Sequence, residues 1–134
     1  MLGRRLLMSA AVVGAVFFTT PAGVSVAATP RLWVANGPSL VEFEANASGN
    51  VSPIAVISGP DTQLGNPTSV AVDPAGNVWA ADLMNGPKVL EFRAGSEGDT
   101  APVATLAGSD THITETYGIW FDAAGHLFLG NLRS

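Results

Sequence analysis

The sequence predicts an all-β protein built from repeated four-stranded antiparallel sheets, on three observations. The chain repeats itself: NGPSLVEF at 36–43 returns as NGPKVLEF at 85–92, VSPIAVISG at 51–59 as TAPVATLAG at 100–108, and VAVDPAGN at 70–77 as IWFDAAGH at 119–126. All three pairs share one offset, and about 15 of roughly 47 aligned positions are identical, which marks a repeat architecture. Apolar runs of about five to seven residues alternate with clusters of Gly, Pro, Asn, Asp and Ser, the signature of short strands and tight turns. Beyond the first 27 residues, no stretch carries a helical period.

Taken in order, the apolar runs predict strands at 32–36, 40–44 and 54–58, then at 69–73, 78–82, 89–93 and 103–107, and finally at 118–122 and 127–131. The segment Asp73-Pro74-Ala75-Gly76-Asn77 suits a turn, with Pro fixing φ and Gly free to take a positive φ, and 122–126 repeats it. Both connections are too short for a crossover helix, so the strands they join are antiparallel neighbours. The register slips once, because Trp33 and Trp79 stand about three residues closer than the other pairs; the insertion falls at 82–84, in a loop. Four strands in a repeat of about 46 to 49 residues match one β-propeller blade. With strands named A to D from the channel outward, the chain reads B-C-D, A-B-C-D, A-B, which is about two blades and an incomplete ring.

The run SVAVDPAGNVWAAD at 69–82, followed by KVLEF at 88–92 and repeated more loosely as GIWFDAAGHLFLGN at 118–131, resembles the NHL-type repeat of secreted and extracytoplasmic β-propellers. The resemblance covers nearly all of the chain after its leader. It implies a propeller fold, whereas function stays open, because such blades serve lactonases, lyases and protein- or glycan-binding scaffolds alike.

The leader itself has a basic start at Arg4 and Arg5, an apolar run over 6–18, a helix-breaking Pro21, and Ser25 and Ala27 flanking Val26. This is a signal-peptide pattern, and it predicts cleavage after Ala27, with Ala28 as the neighbouring option. The apolar run is about 13 residues against the roughly 20 needed to span a bilayer, so no membrane span is expected after cleavage. The Arg pair suits a general secretory signal or a twin-arginine signal. The predicted domains are therefore a signal peptide at 1–27 and a partial propeller at 28–134, secreted or extracytoplasmic. The mature region keeps Arg31, Lys88, Arg93 and Arg133 against eleven acids, a formal charge of −7, which excludes a basic nucleic-acid face. With no cysteine, disulfides, thiolate metal sites and an N-terminal lipidated cysteine are excluded as well.

The phase of the repeat bears on partners. A terminal A strand at 118–122 could complete the B-C-D set of a second copy, but the strand at 127–131 would then compete with 32–36 for one B position. That surplus favours a fragment of a longer propeller over a ring-forming oligomer. In either case sheet edges and blade faces would seek other blades or self-association.

Three equivalent polar residues, Asn36, Asp82 and Asn131, each end a B strand and would point toward the channel mouth, where a ring of oxygens could bind a cation or a sugar hydroxyl. A polar residue that merely terminates a strand explains the same pattern. Asp73 and Asp122 occupy the same turn position, which favours an Asp bonding its own turn backbone over a catalytic pair. His112 and His126 belong to loops at opposite ends of a blade, which argues against a shared metal. Glu42 and Glu91 are read as the solvent-facing half of strand C. Trp33, Trp79 and Phe128 recur at one place in strand B, as fillers between blades or as a platform for sugars. Trp120, where the other repeat has Ala71, would fill either the channel side or a blade interface. Asn46-Ala47-Ser48 and Asn50-Val51-Ser52 match the glycosylation acceptor pattern.

No phosphate-binding Gly-Lys loop, Gly-x-Ser-x-Gly turn, His-Glu-x-x-His motif or cysteine nucleophile is present. The expected function is an exported, non-catalytic propeller segment with a binding or scaffolding role toward a protein or glycan, and with no cofactor. The alternative is a fragment of a lactonase-like propeller hydrolase or lyase with Ca²⁺ or Zn²⁺ at the channel mouth. Enzymes of the kind it resembles gather their residues from blades around the whole ring, so about two blades would be inactive alone.

Overall fold

The structure is a computed structural model, and it describes residues 29–132. The leader at 1–27 and its cleavage point lie outside the described residues, as does Arg133. Every expected strand is present, with boundaries within two residues of those read from the sequence: β1 (Arg31–Ala35), β2 (Ser39–Glu44), β3 (Ala55–Ser58), β4 (Pro67–Val72), β5 (Val78–Asp82), β6 (Lys88–Phe92), β7 (Ala104–Ala107), β8 (Thr116–Phe121) and β9 (Leu127–Asn131). They form three antiparallel meanders with orders β1-β2-β3, β4-β5-β6-β7 and β8-β9. These are antiparallel sheets of three, four and two strands in an all-β fold, consistent with incomplete blades. Two short 3₁₀ turns, Pro60–Thr62 and Ser109–Thr111, were not foreseen; they occupy equivalent loops leading into β4 and β8. Each ends on a residue in the left-handed region, Gln63 at φ 61° and His112 at φ 55°. Gly76 and Gly125 take φ of 88° and 86° in the A-to-B turns, as a residue without a Cβ can.

The sheets stack face to face. Alternation along each strand assigns a forward and a rear face. On the first sheet Trp33, Ala35, Leu40 and Ile57 face forward and meet Val70, Val78, Ala80, Leu90 and Phe92 on the rear of the second. The forward face of the second sheet, with Ala71, Trp79, Ala81 and Val89, meets Ile119, Leu127 and Leu129 on the rear of the third. Trp79 presents to Phe121 edge-on, with ring centroids 5.8 Å apart at 69°. Polar ties reinforce the stack near the innermost strands: Thr68 Oγ1 donates to the Thr116 carbonyl at 2.7 Å, and the Ile119 N–H donates to Ser69 Oγ at 3.2 Å. Farther out, Gly98 bonds across to β3 through Ser58 N–H and the Val56 carbonyl, and the Asp61 N–H donates to Asp99 Oδ1 at 2.8 Å.

Stacking on both faces explains why the middle sheet shows little polar alternation. In β6, Lys88, Val89, Leu90 and Phe92 are all buried. It also corrects the reading of Glu42 and Glu91 as solvent-facing. They pair across the sheet with Trp33 and Trp79 and share the forward, partly covered face, so both are half-buried.

Candidate functional site

The channel-mouth candidates sit at or just beyond the ends of β1, β5 and β9, and two of them, Asp82 and Asn131, turn their side chains into their own loops. Asp82 is fully buried. Its Oδ2 accepts the N–H groups of Gly65 at 2.8 Å and Asn66 at 2.9 Å, and its Oδ1 accepts the Met84 N–H at 2.8 Å and Lys88 Nζ at 3.1 Å. Lys88 Nζ also donates to the Met84 carbonyl. Lys88 stands directly opposite Asp82 in the β5–β6 ladder, and this pairing explains how a buried ammonium and a buried carboxylate are tolerated. The sequence reading missed Lys88, although its place across a hairpin from Asp82 was a usable signal.

Asn131 does the same work without a charge. Its Oδ1 accepts the Thr114 and Glu115 N–H groups, each at 3.0 Å, and its Nδ2 donates to the His112 carbonyl at 3.0 Å. In both repeats the last B-strand residue thus ties down the loop that delivers strand A. Asn36 is exposed, and its carboxamide has no such loop to hold among the described residues. Among the described residues no cluster of three or more His, Cys, Asp or Glu side chains could hold a metal ion.

The repeated Asp73 and Asp122 organise their turns. Asp73 Oδ1 accepts the Ala75 and Asn77 N–H groups, both at 2.9 Å, while Oδ2 accepts Asn77 Nδ2 at 2.9 Å and Trp79 Nε1 at 3.2 Å. Desolvation raises the Asp73 pKa, but the donors from Asn77, Trp79 and the turn backbone together outweigh it and hold the carboxyl below its ordinary value. Asp122 is likewise lowered, first by the side chain of His126, whose Nδ1 lies 2.8 Å from Oδ2, and then by the turn N–H groups. His112, at the opposite end of the third sheet, supplies only backbone groups to these bonds.

Clefts open at the described surface. One of about 360 Å³ lies between the loop after β5 and the loop before β8, with Asn85, Lys88, Ser109 and Ile113 on its walls. Another, about 350 Å³, is lined by Arg31, Trp33, Glu42, Val72, Gly76 and Gly95. It arises from one size difference in the repeat. Phe121 fills the space against Trp79, whereas its counterpart Val72 is too small to cover Trp33 in the same way. Arg31 lies beside this wall, with Nε 3.9 Å from Glu42 and NH1 2.6 Å from Glu44. An aromatic wall with a guanidinium and carboxylates at its rim suits a polar ligand with an apolar face. Among the described residues no helix is long and apolar enough to cross a membrane.

Compared with known protein families, with curated proteins and with solved structures, the chain matches none of them.

Proposed function

We propose that the chain is an exported propeller segment of the NHL-repeat type, acting outside the cytoplasm as a binding or scaffolding element and not as a catalyst. One observation carries this reading. The repeated carboxylates that chemistry would draw on are already engaged: Asp82 in the N–H groups of two loops and in Lys88, Asp73 and Asp122 in their own turns. Both oxygens of Asp82 point inward, so a channel-mouth ion could use them only by displacing Lys88 or a backbone donor. What faces solvent instead is recognition surface: the Trp33 cleft with Arg31 and Glu42 on its walls. Such a surface fits a glycan or a peptide.

The test pairs an activity with a binding measurement on the chain recovered after export. Lactone and ester substrates are assayed with and without added Ca²⁺ or Zn²⁺, and oligosaccharides and peptides are titrated while Trp fluorescence is followed. The expected result is no turnover, and fluorescence changes that Trp33→Ala removes. Metal-dependent turnover abolished by Asp82→Ala in a still-folded chain would overturn the proposal in favour of a propeller hydrolase or lyase.

A further inference from the structure

The two ends of the sheet stack are complementary halves of an interface the molecule already makes twice. At the first junction Trp33 and Ala35 press forward onto a cluster containing Val78 and Ala80, which are 1% and 0% exposed. In the repeat, Leu32 and Val34 stand where Val78 and Ala80 stand, on the rear of the first sheet, yet they are 48% and 37% exposed. On the forward face of the last sheet, Phe128 stands where Trp33 and Trp79 stand. It is stacked on Trp120 with ring centroids 5.3 Å apart at 9°. Both rings are exposed, and so is Tyr117 earlier in β8. The aromatic pair is thus a forward face with nothing described in front of it, and the Leu32–Val34 surface is a rear face with nothing described behind it.

We propose that the Trp120–Phe128 face docks on the Leu32–Val34 face of a second copy of this chain, repeating head to tail the contact made internally by Trp33 on Val78 and Ala80. The partner is a second copy because each face matches its complement by repeat position, down to the aromatic ring on one side and the two aliphatic residues on the other. Stacking also removes the surplus-strand objection. The terminal A-B pair and the B-C-D set of the next copy become adjacent sheets, so β9 and β1 no longer compete for one place. A heterologous contact of this kind closes into a ring when the rotation permits. The described residues of two copies bring six sheets, within the four to eight blades usual for propellers, whereas those of three copies would bring nine. The inference rests on the reading of the chain as a scaffold of stacked blades and adds its partner.

Sedimentation velocity on the chain recovered after export tests it. The expected species has twice the chain mass. Trp120→Glu and Leu32→Glu should each give a monomer with unchanged far-UV circular dichroism, and Phe128→Gln serves as a second variant of the aromatic face. Mixing the Trp120→Glu and Leu32→Glu proteins should restore a two-chain species, because each keeps the face the other has lost, with a dissociation constant at least tenfold weaker than that of the wild type since only one of two contacts forms. A wild-type monomer at every concentration, a mixture that stays monomeric, or large aggregates insensitive to Trp120→Glu would each overturn the proposal. Turnover in the activity assay would sink the binding role and leave these masses unchanged, so the two readings fail separately.

Discussion

Replacing Asp82 by Ala should be among the most damaging single changes in the chain. The carboxylate is fully buried, accepts three backbone N–H groups and faces a Lys88 side chain that is itself only 9% exposed. Removing one member of a buried ion pair leaves the survivor charged and uncompensated, at a cost of about 3–5 kcal/mol. The freed N–H groups of Gly65, Asn66 and Met84 add to this to the extent that water cannot reach them, each by about 1–3 kcal/mol when fully orphaned. Loop relaxation and water entry lower that sum, so we expect about 4 kcal/mol, a large part of the roughly 5–15 kcal/mol that stabilises a domain of this size. Urea unfolding followed by far-UV circular dichroism measures it. A double-mutant cycle makes the test specific. The first repeat carries Asn36 and Ser39 where the second carries Asp82 and Lys88. Asp82→Asn alone places an amide beside the Lys88 ammonium and should cost about 2–3 kcal/mol, since a charge-assisted bond is lost and the ammonium is left buried. Adding Lys88→Ser removes the stranded charge, so the double variant should be more stable than the sum of the single effects by more than about 1 kcal/mol. A cost below about 1 kcal/mol for Asp82→Ala, or strict additivity in the cycle, would refute the account.

Phe92 and Phe43 hold the same repeat position, but Phe92 is fully buried between two sheets and Phe43 is half-buried on an end face. Phe92→Ala should therefore cost about 3–5 kcal/mol in urea unfolding and Phe43→Ala less than half of that. Thr68→Val keeps the shape but removes the donor to the buried Thr116 carbonyl; a loss of about 1–2 kcal/mol, read from the shift in urea midpoint, would show that this bond helps to join the second and third sheets. Acid should weaken the fold through Asp73 and Asp122. Their folded-state pKa values are lowered, so their stabilisation is complete above the unfolded carboxylate value of about 4 and is lost as pH falls through the lower folded values. Urea midpoints measured from pH 7 down to acid should fall in that window, and Asp73→Asn should flatten the decline.

What could be read from sequence was whatever depends on neighbours along the chain. The strands were legible because Gly, Pro, Asn and Asp punctuate them, and their antiparallel order because 73–77 and 122–126 are too short for anything else. The turn role of Asp73 and Asp122 was legible for the same reason, since their backbone donors lie two and four residues on. The Asp82–Lys88 pair was half legible: the hairpin places the two residues opposite one another, but burial of the pair depends on the sheets that cover both faces. Tertiary structure alone decided the rest. It turned Asp82 and Asn131 into their own loops. It opened a cleft at Trp33 and filled the matching space at Trp79, because the deciding residues, Val72 and Phe121, come from the next sheet. It assigned Trp120 to the exposed forward face of the third sheet, stacked on Phe128. The physical reason is common to all of these. Turn chemistry and strand pairing act over a few residues, whereas the environment of a side chain between stacked sheets is set by residues roughly one repeat away, so periodicity can tell which positions are equivalent but not which are covered.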